Sequence, residues 1–116
     1  MSVLWRPMAW LLRGDDVLAT AEIAATRSAR RRGLLGRDAV EGVLVLERCR
    51  NVHTFGMRIP IDVMLCDRLG RVLTIRTLAP NRIAPFVRGT RTVVEASAGS
   101  CDRWSLRVGD VIEVRA

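Results

Sequence analysis

The stretch Ile61-Asp62-Val63-Met64-Leu65-Cys66-Asp67-Arg68-Leu69-Gly70-Arg71-Val72-Leu73-Thr74-Ile75-Arg76-Thr77-Leu78 decides the fold class. Residues 61–67 and 71–78 are short runs rich in aliphatic and β-branched side chains, the composition of strands. Between them Asp67-Arg68-Leu69-Gly70 has turn chemistry, so 61–78 is expected to be a hairpin. Outward from this hairpin the pattern repeats in GVLVLE at 42–47, TVVEAS at 92–97 and DVIEVR at 110–115. Nearer the N-terminus Val17, Ala19, Ala21 and Ile23 alternate with Leu18, Thr20 and Glu22, the period of a half-buried strand. That segment, 17–25, is expected to pair with 3–12 across Arg13-Gly14-Asp15-Asp16, with Pro7 placing the first strand at an edge or bulge.

The period changes once. Thr26 can cap a helix that starts at Arg27 and ends at Gly36, limited to two or three turns because Gly33 weakens it. Pro80-Asn81, Pro85 and Arg88-Gly89 break the chain before 92–97. Ala98-Gly99 precedes a short helical turn around Cys101–Ser105, and Val108-Gly109-Asp110 turns the chain into its last strand. The expected fold is mainly β, a sandwich or small barrel of about seven strands, with one short helix near residues 27–35. No repeat, linker or low-complexity tract divides residues 1–116, which are read as a single domain.

Composition fits this reading. A chain of 116 residues buries roughly 65% of its unfolded surface, enough for one core without staples. With three Trp, two Phe and no Tyr, that core must be mainly Val, Leu, Ile, Ala and Met. All 19 basic residues are Arg, which reads as the codon bias of a GC-rich genome, and the formal charge is +7. This charge favours acidic partners, and guanidinium pairs bidentately with carboxylate and phosphate. Spread from Arg6 to Arg115, however, the arginines read first as a solvated surface. Three cysteines, 49, 66 and 101, without a CxxC pair point to reduced thiols and not to a disulfide framework. The opening MSVLWRPMAWLL lacks a basic start and a cleavage site, and no run approaches 18 apolar residues. A cytoplasmic location with no membrane span is expected.

One segment gathers chemistry: Asn51 to Asp62 holds the only His, with Arg58 and Asp62 close by. His53 is the residue type that moves a proton near neutral pH, Asp62 could orient it and Arg58 could hold an anion. The plainer reading is a structured loop in which His53 bonds backbone, Asp62 caps a turn and Arg58 pairs with it. That reading carries more weight, because no nucleophile elbow, Cys-His signature or paired-carboxylate motif accompanies the triad of types. Cys49 and His53 are four apart, but zinc needs three or four converging ligands, so no metal and no cofactor is expected. Arg27, Arg30 and Arg31 lie on one face of the expected helix and could hold phosphate at its start. They also fit the solvated side of an amphipathic helix that buries Leu34 and Leu35. For nucleic acid, neither interleaved aromatics nor a groove-reading motif is evident, leaving only salt-sensitive, non-specific attraction and no specific binding.

Four pieces in this order resemble a bacterial family. Arg32-Gly33-Leu34-Leu35-Gly36-Arg37 resembles its Arg-x-Gly-Leu-Met-x-Arg helix, and Ile59-Pro60-Ile61-Asp62 its Ile-Pro-Leu-Asp strand start. Glu95-Ala96-Ser97-Ala98-Gly99 is similar to its Leu-Glu-x-x-x-Gly strand end, and Val108-Gly109-Asp110 to its closing Gly-Asp turn. The family is the one called domain of unknown function 192, and the likeness covers about residues 17–114. The resemblance implies a mainly β domain with a short helix packed on it, and no defined reaction, substrate or cofactor. Where many members carry Trp-Met-Lys-Asn-Thr, this chain has His53-Thr54-Phe55-Gly56-Met57, so a role tied to that Lys does not carry over.

The expected function is a non-enzymatic binding or accessory module, with a small anionic ligand or an acidic protein as partner. Its site would be formed by His53, Arg58 and Asp62, with Glu95 as a neighbour. Two alternatives stand beside it: a small hydrolase using His53 as general base, and anion or nucleic-acid binding by the Arg27–Arg32 face.

Overall fold

The computed structural model describes residues 8–24 and 41–116. Seven strands form the framework: β1 (Met8–Arg13), β2 (Asp16–Ala24), β3 (Val43–Glu47), β4 (Ile61–Cys66), β5 (Val72–Leu78), β6 (Thr92–Ser97) and β7 (Glu113–Arg115). The hairpin expected from 61–78 forms as β4 and β5, with Asp62 opposite Thr77. Its turn is held by Asp67, whose Oδ1 accepts the Leu69 and Arg71 amides at 2.9 Å each. The first hairpin also forms, from Met8 to Ala24. The helix expected near 27–35, with Thr26, Gly33, Gly36 and the arginines 27, 30 and 31, lies outside the described residues. The short helical turn around Cys101 is present as Ser100–Arg103.

The mainly β class is as expected, and the seven strands make one mixed sheet in the order β5-β4-β6-β3-β2-β1-β7. All neighbours are antiparallel except β2 and β3, which run parallel. The sheet is open rather than a closed barrel. Its edge strands meet at one end only, through the Arg71–Val111 bridge and three backbone bonds: Val72 N–H to Asp110 O (2.8 Å), Gly109 N–H to Val72 O (2.9 Å) and Ile112 N–H to Gly70 O (2.9 Å). Gly70 is required there: its φ is +85°, and an added Cβ would collide with the Ile112 carbonyl oxygen.

Strand side chains alternate between two faces, and both faces of the central strands are buried, which is why 42–47 and 61–66 read as nearly unbroken apolar runs. On one face Leu11, Val43, Val45, Met64, Cys66, Val72, Val94 and Ala96 pack with Cys101, Leu106 and Ile112. On the other, Leu44, Leu46, Ile61, Val63, Leu65 and Val93 pack under Met57 and Ala84 from the loops 48–60 and 79–91. Full burial of each Leu, Ile or Met contributes about 1.5–3 kcal/mol. Among the described residues no helix is long and apolar enough to cross a membrane.

Candidate functional site

The loop carrying His53 is fixed by Thr54, which is fully buried. The Thr54 hydroxyl donates to Ala79 O at 2.6 Å and accepts the Arg82 amide at 2.8 Å. Its own amide donates to Arg82 O at 2.7 Å, and its carbonyl accepts Met57 and Asn81 amides at 3.0 and 2.9 Å. Every polar atom of Thr54 thus ties loop 48–60 to loop 79–91. His53 sits beside this tether, bridged to Ile83 and exposed. Its Nδ1 accepts the Phe55 amide at 3.2 Å, and the two rings lie 5.2 Å apart. Arg58 is exposed on the same loop.

The two carboxyl groups proposed to join them are divided by the sheet. Asp62 shares its face with Met64 and Cys66, and its neighbours across the strands are Ala96 and Thr77. It is 2% exposed; Oδ1 accepts the Thr77 hydroxyl at 2.7 Å and Oδ2 the Cys101 amide at 3.0 Å. Ser100–Arg103 begins at Gly99 in the left-handed conformation with no side-chain cap of its own, so Asp62 supplies from β4 the acceptor that this first turn lacks. Burial, with the charges of Asp62 and Asp102 and the Asp62 hydrogen bond, pushes the Cys101 thiol up to about 12; burial and Asp67 do the same for Cys66. Glu95 is also 2% exposed, but it lies opposite Leu44 and Val63, on the face covered by the 48–60 loop. The structure therefore places Glu95 on the same side as His53 and Arg58, and gives Asp62 a separate task on the other. Cys49, half-buried, donates its thiol to Asn51 O at 3.0 Å. Among the described residues no three His, Cys, Asp or Glu side chains gather as metal ligands.

A second constellation is absent from the sequence expectations. The backbone of Arg91 joins three segments: its amide donates to Cys66 O at 2.8 Å and its carbonyl accepts the Cys49 amide at 2.9 Å. That junction brings Arg50, which follows β3, and Arg68, in the β4–β5 turn, beside Arg88 and Arg91. Together with Leu69 and Phe86 they line a cavity of about 530 Å³. All four arginines are exposed, and among the described residues no carboxylate forms an ion pair with them. The carboxylate on the cavity wall, Asp67, is turned to the amides of its own turn. Phe86 is 68% and Leu69 70% exposed. The signal for this site was present in the sequence: Arg82, Phe86, Arg88 and Arg91 do interleave an aromatic with basic residues, contrary to the expectation that no such pattern exists.

An open, mixed seven-stranded sheet with loops packed over one face and a basic cavity at one end defines a class of small β domain. The chain belongs to the domain of unknown function 192 family, described as uncharacterized ACR, whose model matches residues 11–114 and so begins within β1, ahead of the resemblance noted from 17. No curated protein matches the chain. Two solved structures share the fold at 20% identity. A protein of unknown function from Novosphingobium aromaticivorans has a TM-score of 0.78, with 93% of this chain and 84% of that one covered. A "putative transcription regulator" from Sinorhizobium meliloti has a TM-score of 0.79, with 95% and 94% covered.

Proposed function

We propose that this domain is a non-enzymatic binding module whose ligand is anionic and is held in the cavity of Arg50, Arg68, Arg88 and Arg91. One observation carries the reading: four arginines from three segments line one cavity, and none of them has an ion pair with a carboxylate among the described residues. Like charges so placed repel, and an anion that accepts bidentate hydrogen bonds relieves that repulsion. A hydrolase reading asks for a carboxylate to orient His53. Asp62 does not serve, since Thr77 and Cys101 take its oxygens, and His53 Nδ1 is occupied by the Phe55 amide. The buried, protonated Cys66 and Cys101 suit a reducing compartment, which supports a cytoplasmic site of action.

The test is thermal unfolding with inorganic pyrophosphate at low ionic strength. A ligand at a hundred times its Kd adds roughly 2.7 kcal/mol to stability. A rise of several degrees in Tm is expected for the wild-type chain, and none for Arg88→Gln/Arg91→Gln. Equal shifts in both proteins, or none in either, reject the cavity as an anion site.

A further inference from the structure

We propose that the same cavity binds single-stranded nucleic acid without sequence preference, with a base stacked on Phe86 and the flanking phosphates on Arg50, Arg68, Arg88 and Arg91; this rests on the anion-binding reading above. Single-strand sites combine a basic groove that follows the backbone with an aromatic face that accepts any base. Both parts are present. Phe86 leaves 68% of its surface in water and stands on the wall of a cavity that Arg50, Arg68, Arg88 and Arg91 also line. An isolated exposed Phe calls for no explanation, but one that shares a cavity with four arginines offers an apolar face where phosphates would be neutralised. Its position is set locally: Thr90 closes a turn on Val87 through its amide (3.2 Å) and its hydroxyl (2.7 Å). Gly89, with φ +91°, lets the chain reverse there, so Phe86 and Arg88 come to line the same cavity as Arg91.

An acidic peptide would satisfy the arginines and leave Phe86 without a role. A duplex would present phosphates but keep its bases stacked inside. A single strand uses both features, and it uses them independently of sequence.

The experiment measures fluorescence anisotropy of a labelled ten-nucleotide oligothymidylate against the full chain, with the matching duplex, thymidine monophosphate, poly-glutamate and pyrophosphate as competitors. The oligonucleotide is expected to bind at low salt with a log–log salt slope of about −3, from four neutralised phosphates at about 0.7 each. Arg88→Gln should flatten the slope by about 0.7. Phe86→Ala should weaken the oligonucleotide on the order of tenfold and leave pyrophosphate unchanged. The duplex and poly-glutamate should compete more weakly than the strand, and the monophosphate more weakly still. If Phe86→Ala leaves oligonucleotide affinity intact, or if poly-glutamate or the duplex competes as well as the strand, this assignment is overturned while anion binding stands. Thymidine monophosphate competing equally also overturns it, in favour of a free nucleotide. Failure of both pyrophosphate and oligonucleotide to bind removes both readings.

Discussion

Asp62 and the arginine cavity are two ways of placing charge in one sheet. The carboxyl group of Asp62 lies inside, with each oxygen matched to a donor: a hydroxyl from the neighbouring strand and an amide from the helical turn 39 residues away. The four arginines lie outside, on segments joined by backbone bonds through Arg91, and no carboxylate among the described residues forms an ion pair with them. A buried polar group that lost its partners would carry a desolvation penalty, so Asp62 must be satisfied for the chain to fold. Exposed arginines carry little such penalty, and their convergence is free to serve a ligand. With the proposed function, the contrast gives stability to one region and the proposed binding to the other.

Asp62→Ala should do the most damage. It leaves the buried Cys101 amide without an acceptor and removes the link between β4 and Ser100–Arg103, with an expected loss of about 3 kcal/mol in urea unfolding. Pyrophosphate binding by the fraction that remains folded should be unchanged. A loss below about 0.5 kcal/mol, or loss of binding by folded protein, would end the division of labour.

Alkaline titration tests the same face more gently. Cys66 and Cys101 are each held protonated to about 12, against 9.0 for an unperturbed thiol. As pH rises past 9.0 the unfolded chain releases these protons while the folded chain keeps them, so the unfolded state binds fewer protons and stability falls with pH. The contribution is fully present below 9.0 and is lost as pH climbs toward about 12. Cys66→Ala/Cys101→Ala, although less stable from the cavities it leaves, should show a shallower decline over that window. An equal slope in both proteins would assign the decline to other groups.

How far the sequence could be read depended on whether neighbours along the chain were also neighbours in space. Strand periodicity is local, and the hairpins at 8–24 and 61–78 were legible from it. Closure was not, because whether the edges meet depends on how the sheet curls, and only contacts distant in sequence, between 70–72 and 109–112, join them at one end. The 53–62 segment looked like a site because His53, Arg58 and Asp62 are close in number. Alternation along β4 turns Asp62 away to the opposite face, while Glu95, distant in number, lies on the face that the loop covers. Arg50, Arg68 and Arg91 are far apart in sequence and meet through two backbone bonds of one residue, which no spacing rule encodes. Phe86, Arg88 and Arg91 by contrast are neighbours in number, so that part of the cavity is local in the sequence.

The smallest expected stability change is the sharpest test of the comparison. In Arg88→Gln/Arg91→Gln the Arg91 amide and carbonyl still join Cys66 and Cys49, because substitution leaves the backbone in place. Both side chains are exposed, and neither is held by an ion pair among the described residues, so unfolding free energy should move by no more than about 0.5 kcal/mol. A small gain is the expected sign, since two of four converging positive charges are removed. A loss of 1 kcal/mol or more would mean that these guanidinium groups support the fold. The cavity would then be a junction held for stability, and its likeness to an anion site would follow from the arginines needed to hold it.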